Sequence, residues 1–500
     1  MASDVETGRI TTNIPARLDR LPWSRWHWLV VVGLGTVWIL DGLEVTIVGS
    51  LSDALKPEGT GLGLSNFDIG LAGAVYVAGA CTGALFFGQL TDRFGRKRLF
   101  IITLAVYLVG TVLTAFSTTP LWYFVCRFIT GTGIGGEYAA INSAIDELIP
   151  AKYRGRVDVA INGSFWLGAA AGALLTVPLL DPTVVAADIG WRLAFALGAV
   201  LGLGILIVRR NVPESPRWLF IHGREDEGNR VVEDIERRVS EEKDRELPDV
   251  DDSITIRQRK TIGIGQIART VFTLYPKRTI LCFSLFVGQA FLYNAFFFTF
   301  GDVLGSFEQL KVDPSQVGYY IAVFAASNFI GPLVLSPLFD TLGRVTMIAS
   351  TYIISGALLA ATGFMLGSLN GVTLTMMGAI TFFFASAGAS AAYLTASEVF
   401  PMETRALCIA FFYAIGTAAG GIAGPLLFGA LIDHAVPTQD LSLINIGYLI
   451  GAALMIAGGI VELLLGVRAE QQTLENIAKP LTAESEPSHD PAAARTARPA

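Results

Sequence analysis

Twelve stretches of about 20 mostly apolar residues recur along this 500-residue chain, and no single water-soluble core can hold apolar residues spread so evenly. They run approximately Trp26–Ser50, Asp68–Leu90, Leu99–Phe116, Leu121–Ala144, Val159–Leu180, Trp191–Val208, Ile280–Val303, Val317–Phe339, Thr346–Gly367, Val372–Ala396, Ala406–Ile432 and Ile444–Val467. Each can cross a hydrocarbon layer about 30 Å thick as a helix, which satisfies its own backbone where no water is available. The expected fold class is therefore an all-α membrane protein with twelve transmembrane helices in a lipid bilayer. The first run carries two acids, exceeds the length of a signal-peptide core and lacks a small-residue cleavage site, so the N-terminus is expected to stay attached.

Charge sets the expected orientation. When the loops are assigned alternately to two sides, nearly all of the 36 Lys and Arg residues fall on one of them. The other side holds only Lys56, Arg192 and Lys311, and Arg127 lies inside a span. This asymmetry predicts an even number of crossings with both termini in the cytoplasm, in the cell membrane. Because the basic residues follow the membrane and form no single patch, no nucleic-acid partner is expected.

The chain also repeats itself. Asp92, Gly95 and Arg96 in D-R-F-G-R after the second span recur as Asp340, Gly343 and Arg344 in D-T-L-G-R after the eighth. Glu147, Pro150 and Arg154 after the fourth recur as Glu398, Pro401 and Arg405 after the tenth. Two parallel six-span halves follow. The expected division is a cytoplasmic N-terminal tail (1–25), a six-helix bundle (26–208), a cytoplasmic central loop with short amphipathic helices (209–278), a second six-helix bundle (279–467) and a disordered tail (468–500) rich in Ala, Pro and Glu.

The motifs resemble the major facilitator superfamily of transporters over all twelve spans. G-Q-L-T-D-R-F-G-R-K-R from Gly88 to Arg98 is similar to that superfamily's loop between helices two and three. R-F-I-T-G-T-G-I-G-G from Arg127, P-E-S-P-R-W-L from Pro213 and S-E-V-F-P-M-E-T-R from Ser397 resemble the sugar porter branch. Of that branch's helix-seven pattern Q-Q-x-S-G-x-N only Gln289 and Asn294 match; its helix-five Gln falls on Asn162 and its helix-ten Trp on Tyr393, and the P-E-T-K-G expected after span twelve is missing. R-L-D-R-L-P-W-S-R-W-H from Arg17 and the D-G-L-E of span one look more like the branch that carries aromatic acids and other metabolites with protons. The resemblance thus places the chain between the two branches. It implies two pseudo-symmetric six-helix bundles, alternating access and a cytoplasmic gate of Asp92, Arg93, Gly95, Arg96, Glu147, Arg154, Glu214, Arg217, Asp340, Arg344, Glu398 and Arg405 that latches the halves. Anchoring to the membrane would alone explain the charge of Arg93, Arg96, Lys97 and Arg98, but the Asp92, Gly95 and Arg96 pattern favours the latch.

Asp41, Glu44 and Arg127 are ionisable residues within predicted spans. Such residues are expensive in lipid and mark pathways or buried pairs. Asp41 and Glu44 are spaced i and i+3, on one face of the first helix. Crowded carboxylates bind protons more tightly, and an approaching guanidinium expels the proton, so the trio can work as a proton switch or as a structural ion pair. By resemblance, Glu44 and Arg127 match the coupling pair of proton symporters. Glu137, ten residues after Arg127, is a candidate for binding or for packing. Asn162, Gln289, Asn294 and Tyr393 are the candidate solute contacts, since amides and a phenol satisfy hydroxyls and carboxylates without a fixed charge.

The expected function is secondary active transport of a small organic solute (a sugar, polyol, or organic or aromatic acid) with the proton as coupling ion, by a monomer without a cofactor. Export of drugs or metabolites by antiport, and a transporter-like sensor, are the alternatives; the fifth span lacks the G-x-x-x-G-P-x-x-G-G of drug antiporters, which favours uptake. No enzyme is expected. Cys81, Cys126, Cys282 and Cys408 are isolated in apolar runs, and His27, His222, His434 and His489 form no ligand cluster, so neither a disulfide framework nor a metal site is predicted.

Overall fold

The computed structural model describes residues 7–209, 214–244, 246–250, 253–258, 269–310, 312–313, 316–401, 404–470, 472 and 474–478. The tail expected to be disordered lies largely outside them. So do the side chains of Glu44, Asp92, Arg93, Arg96, Glu147 and Arg217, although their backbones fall in helices.

The N-terminal half is built from α2 (Arg25–Ser50), α4 (Asn66–Phe94), α5 (Arg96–Ala115), α6 (Pro120–Leu148), the broken helix α7–α8 (Ala151–Gly163 and Phe165–Leu180) and α9 (Ala187–Arg209), with short α3 (Ser52–Leu55) after α2. The C-terminal half is built from α12 (Pro276–Ser306), α13 (Val317–Thr341), α14 (Arg344–Met365), α15 (Gly371–Glu398), the interrupted helix α16–α17 (Arg405–Thr417 and Ala423–Ala435) and α18 (Ser442–Leu465). Among the described residues eleven helical segments are long and apolar enough to cross a membrane. The remaining one, α6, has 29 residues, about 43 Å of helix. Its apolar character is diluted by Arg127, Glu137 and a run of glycines that lets it lie close against α4 and α5.

Helices overrun the apolar stretches that announce them. The seventh span starts at Pro276 and the fifth helix at Ala151, because the apolar run marks only the lipid-depth part while the helix continues into polar surroundings. Large apolar side chains face outward, among them Trp28, Phe116, Leu121, Phe364 and Leu464. In water such a surface would aggregate; around a bundle of apolar helices it is the lipid contact.

The face carrying the basic residues is capped by a small assembly. Helix α1 (Ile14–Asp19) buries Ile14 and Leu18, and α11 (Glu225–Lys243) buries Val232, Ile235 and Val239 on its apolar stripe. Acids fill the first turn of α11 and Lys243 its last, as the helix dipole favours. Between α9 and α11 lies α10 (Pro216–Ile221), capped by Ser215 Oγ, which accepts from Trp218 N. Strand β1 (Thr7–Thr12) pairs antiparallel with β2 (Ile254–Gln258), so the N-terminal segment and the central loop form one unit.

Glu236 on α11 fastens that unit. It accepts from Arg17 at 2.5 and 3.0 Å and from Arg20 at 2.6 Å. Burial opposes its ionisation, but the hydrogen bonds from the two guanidinium groups outweigh burial and hold the carboxyl below its usual 4.5. A depressed carboxyl pKa contributes stability in full above about pH 4.5 that is lost as pH falls through the folded-state value. Amide exchange in α1 is therefore expected to accelerate on acidification below about pH 4.5, and Glu236→Gln to produce the same loosening at neutral pH. Exchange indifferent to both would contradict this docking.

Candidate functional site: a central cavity and its two closures

Between the halves lies a cavity of about 140 Å³. The N-terminal half contributes Trp38 and Val45 from α2, Tyr76, Val77 and Ala80 from α4, Asn162 from α7, and Phe165 and Trp166 from α8. The C-terminal half contributes Gln289, Tyr293, Asn294 and Phe298 from α12, Ser386, Ala389, Ser390 and Tyr393 from α15, and Tyr413 and Thr417 from α16. Four residues singled out in the sequence, Asn162, Gln289, Asn294 and Tyr393, thus face one space. Glu137 does not line it. Its carboxylate is buried on α6, and Oε1 accepts from Thr103 Oγ1 of α5 at 3.4 Å.

Aromatic rings from the two halves meet around the cavity. Trp38 lies 6.4 Å from Tyr393, Trp166 5.3 Å from Tyr293, and Tyr76 6.1 Å from Phe298, in tilted or edge-on arrangements that ring quadrupoles favour. Polar groups sit among them. Asn294 Nδ2 donates to Ala290 O at 2.8 Å, which leaves a second N–H and the side-chain carbonyl for another partner. Gln289 is 7% exposed and makes no hydrogen bond among the described residues, and the buried Thr417 hydroxyl has no partner either.

Thr417 was not apparent as a site residue from the sequence. It ends α16 just before the π-helical turn Ala418–Ile422, where T-A-A-G-G-I packs against α12. A wide turn of this kind shifts side-chain direction mid-helix and is frequent at functional sites.

Asp41 and Arg127 are both fully buried in the N-terminal half. The Arg127 guanidinium lies over the Tyr76 ring, 4.3 Å from its centroid, and Tyr76 lines the cavity. The guanidinium thus stacks behind one wall of the cavity.

On the basic face, the two D-x-x-G-R loops adopt matching conformations. Gly95 and Gly343 have φ of +90° and +98°, a region that side chains with a Cβ avoid, and each precedes the half's third membrane helix. In each half a carboxylate from beyond the last span caps that helix: Glu214 Oε2 accepts from Lys97 N at 3.2 Å, and Glu470 Oε2 from Arg344 N at 3.4 Å.

Among the described residues the second half carries an ion cluster at this face. Arg344 binds Glu398 through Nε and Nη2, both at 3.1 Å, and Asp340 through Nη1 at 2.7 Å. Asp340 Oδ2 also accepts from the backbone N–H of Arg156 on α7, at 3.2 Å, which joins the halves. The approach needs Gly155, whose added Cβ would stand 2.5 Å from Arg344 Nη1. Arg405 Nε donates to Ser397 O at 2.7 Å, and Arg154 meets Asp19 of α1 at 3.6 Å. Arg154 thus reaches the N-terminal segment, a contact that the sequence pattern did not indicate.

On the opposite face Lys56 bridges Asp53, at 2.9 Å, and Asp302 of α12. Burial alone would lower the Lys56 pKa, but the two carboxylates overcompensate and hold it above 10.5. Lys56→Gln is expected to loosen this contact between the halves, because Asp302 is buried and loses its counter-charge. A cysteine placed at Val45 should then react faster with an impermeant maleimide added from that face, against a background of four buried native thiols. An unchanged labelling rate would contradict this role.

The fold and the shared cavity set the frame for comparison with known proteins. Residues 46–479 match the profile of the "Sugar (and other) transporter" family. The chain belongs to that family. It is a major facilitator superfamily transporter standing between the sugar porter and metabolite branches. The niacin transporter of Acinetobacter baylyi is 27% identical over 471 residues, covering 93% of this chain and 99% of that protein. Organic cation/carnitine transporter 7 of Arabidopsis thaliana is 26% identical, covering 89% and 93%. Among solved structures, the E. coli proton:xylose symporter XylE bound to 6-bromo-6-deoxy-D-glucose superposes with a TM-score of 0.70 at 16% identity, covering 91% of this chain and 98% of that one. Those names span an acid, a cation and a sugar, so family membership establishes a transporter of small solutes and leaves the solute to the cavity.

Proposed function

We propose that this chain takes up a small aromatic or heteroaromatic monocarboxylate by proton symport, through alternating access of the central cavity to the two faces. Its basic face is the cytoplasmic one. The observation that carries the reading is the cavity lining: aromatic walls from both halves, with amide and hydroxyl groups of Gln289, Asn294 and Thr417 left available and no carboxylate among the described lining residues. A flat ring gains from the walls, and its carboxylate accepts from the Gln289 amide and the Thr417 hydroxyl. The niacin transporter to which the chain is similar fits this class, niacin being a pyridine carboxylate.

Asp41, Glu44 and Arg127 form the proton-coupling set. Their carboxylates bind the proton when the guanidinium is drawn away and release it when the guanidinium returns. The ion cluster around Arg344 and the Lys56 bridge are the closures on the two faces, and substrate biases which one is broken.

Thermal stabilisation of the purified protein by a panel of solutes tests the class. Nicotinate and related flat acids are expected to raise Tm, while hexoses and polyols leave it unchanged. Stabilisation by myo-inositol or D-xylose alone would favour the amide pair Gln289 and Asn294 as a polyol site, and stabilisation by large hydrophobic cations alone would point to drug export.

A further inference from the structure

Asn328, on α13, is fully buried and lies outside the cavity lining, yet it is tied to the cavity wall. Its Nδ2 donates to Phe324 O, one turn back, at 3.0 Å. That bond fixes the amide with Oδ1 as the end offered to Tyr293, whose hydroxyl donates to it at 3.0 Å. Tyr293 is in turn held edge-on by Phe382, at 5.0 Å and 86°, and lies against Trp166 of the other half at 5.3 Å and 38°. Three helices and both halves therefore converge on one ring.

We propose that Asn328 is a positioning residue for solute choice: by holding the Tyr293 hydroxyl, it keeps the Tyr293 and Trp166 rings as one continuous aromatic wall that selects flat solutes over puckered ones. The inference rests on the aromatic-acid reading. Two consequences of the bonding support it. A ring fixed at its hydroxyl loses little further freedom when a solute stacks on it, so the stacking contact is preorganised. The hydroxyl proton is also committed to Asn328, which leaves that oxygen able only to accept. An ionised carboxylate is itself an acceptor, so it is turned away from Tyr293 and toward Gln289 and Thr417, and the solute binds in one orientation.

Binding of nicotinate and of cyclohexanecarboxylate, which carries the same charge on a puckered ring, is measured by titration calorimetry on the full-length protein. The variants are Asn328→Leu, Tyr293→Phe and the double substitution. Tyr293→Phe keeps the ring and removes only the hydroxyl, so it reports even if Asn328→Leu folds poorly. Each single variant is expected to lower the preference for the flat acid about tenfold, the scale of one well-placed aromatic contact. The double variant should be no worse than either single, since both remove the same bond. Unchanged preference in Tyr293→Phe, or additive losses in the double variant, overturns the proposal while the aromatic-acid reading stands. A wild-type protein that binds neither acid overturns that reading and this inference together.

Discussion

Glu44→Gln is expected to leave solute exchange intact and abolish accumulation. Glu44 stands one helical turn from Asp41, which is fully buried in the half that holds Arg127. A carboxyl in that setting can alternate between protonated and ionised states as Arg127 approaches and withdraws, whereas an amide cannot. With one proton per solute, a pH gradient of one unit supports a concentration ratio of about ten, because one pKa unit and a tenfold ratio are the same free energy. The Gln variant should bring that ratio to about one while labelled solute still exchanges across proteoliposomes carrying equal concentrations on both sides. Normal accumulation by the variant would remove Glu44 from the coupling set.

Arg344→Ala is expected to cost about 3–5 kcal/mol of stability and most of the transport rate. The arginine is 3% exposed and neutralises two carboxylates, Glu398 at 2% and Asp340 at 9% exposure. Removing it takes the counter-charge from the buried Glu398, and burial of an uncompensated charge is where the penalty arises. It also frees Asp340, the acceptor that ties α13 to the Arg156 amide of the other half. The double replacement Arg344→Met with Glu398→Leu should recover much of the stability without recovering transport, because an apolar pair can replace a buried ion pair in packing but cannot latch and release. A lowered Tm in Arg344→Ala that is restored in the double variant, with uptake still impaired, is the expected pattern in detergent and vesicles. Full transport by the double variant would show that the cluster serves packing alone.

The membrane fold was legible because apolar run length is a local property, and the repeat of D-x-x-G-R could be read because a glycine with positive φ is demanded at both places. Asn162, Gln289, Asn294 and Tyr393 were legible as candidates because they stand at motif positions, and they do face one cavity. Glu137 was drawn in by the cost of a charge in a span, a rule that does not say which neighbour satisfies it; here Thr103 stands beside it. Pairings across long sequence distances left no local mark. Glu470 caps α14 without the family's usual motif, Asp19 reaches Arg154, Lys56 finds Asp302, and Tyr293 finds Asn328. Nor did periodicity reveal that the N-terminal segment pairs with the central loop, since β1 and β2 are short and lie in polar stretches.

Proton movement driven by the solute itself tests the central claim most directly. Nicotinate is added to de-energised proteoliposomes in weakly buffered medium, and external pH is followed beside protein-free liposomes and Glu44→Gln vesicles to subtract passive entry of the neutral acid. The account predicts alkalinisation of the medium above both controls, saturating with nicotinate and lost in Gln289→Ala, as a proton enters with each solute. Saturable nicotinate entry with no pH change beyond the controls would contradict it.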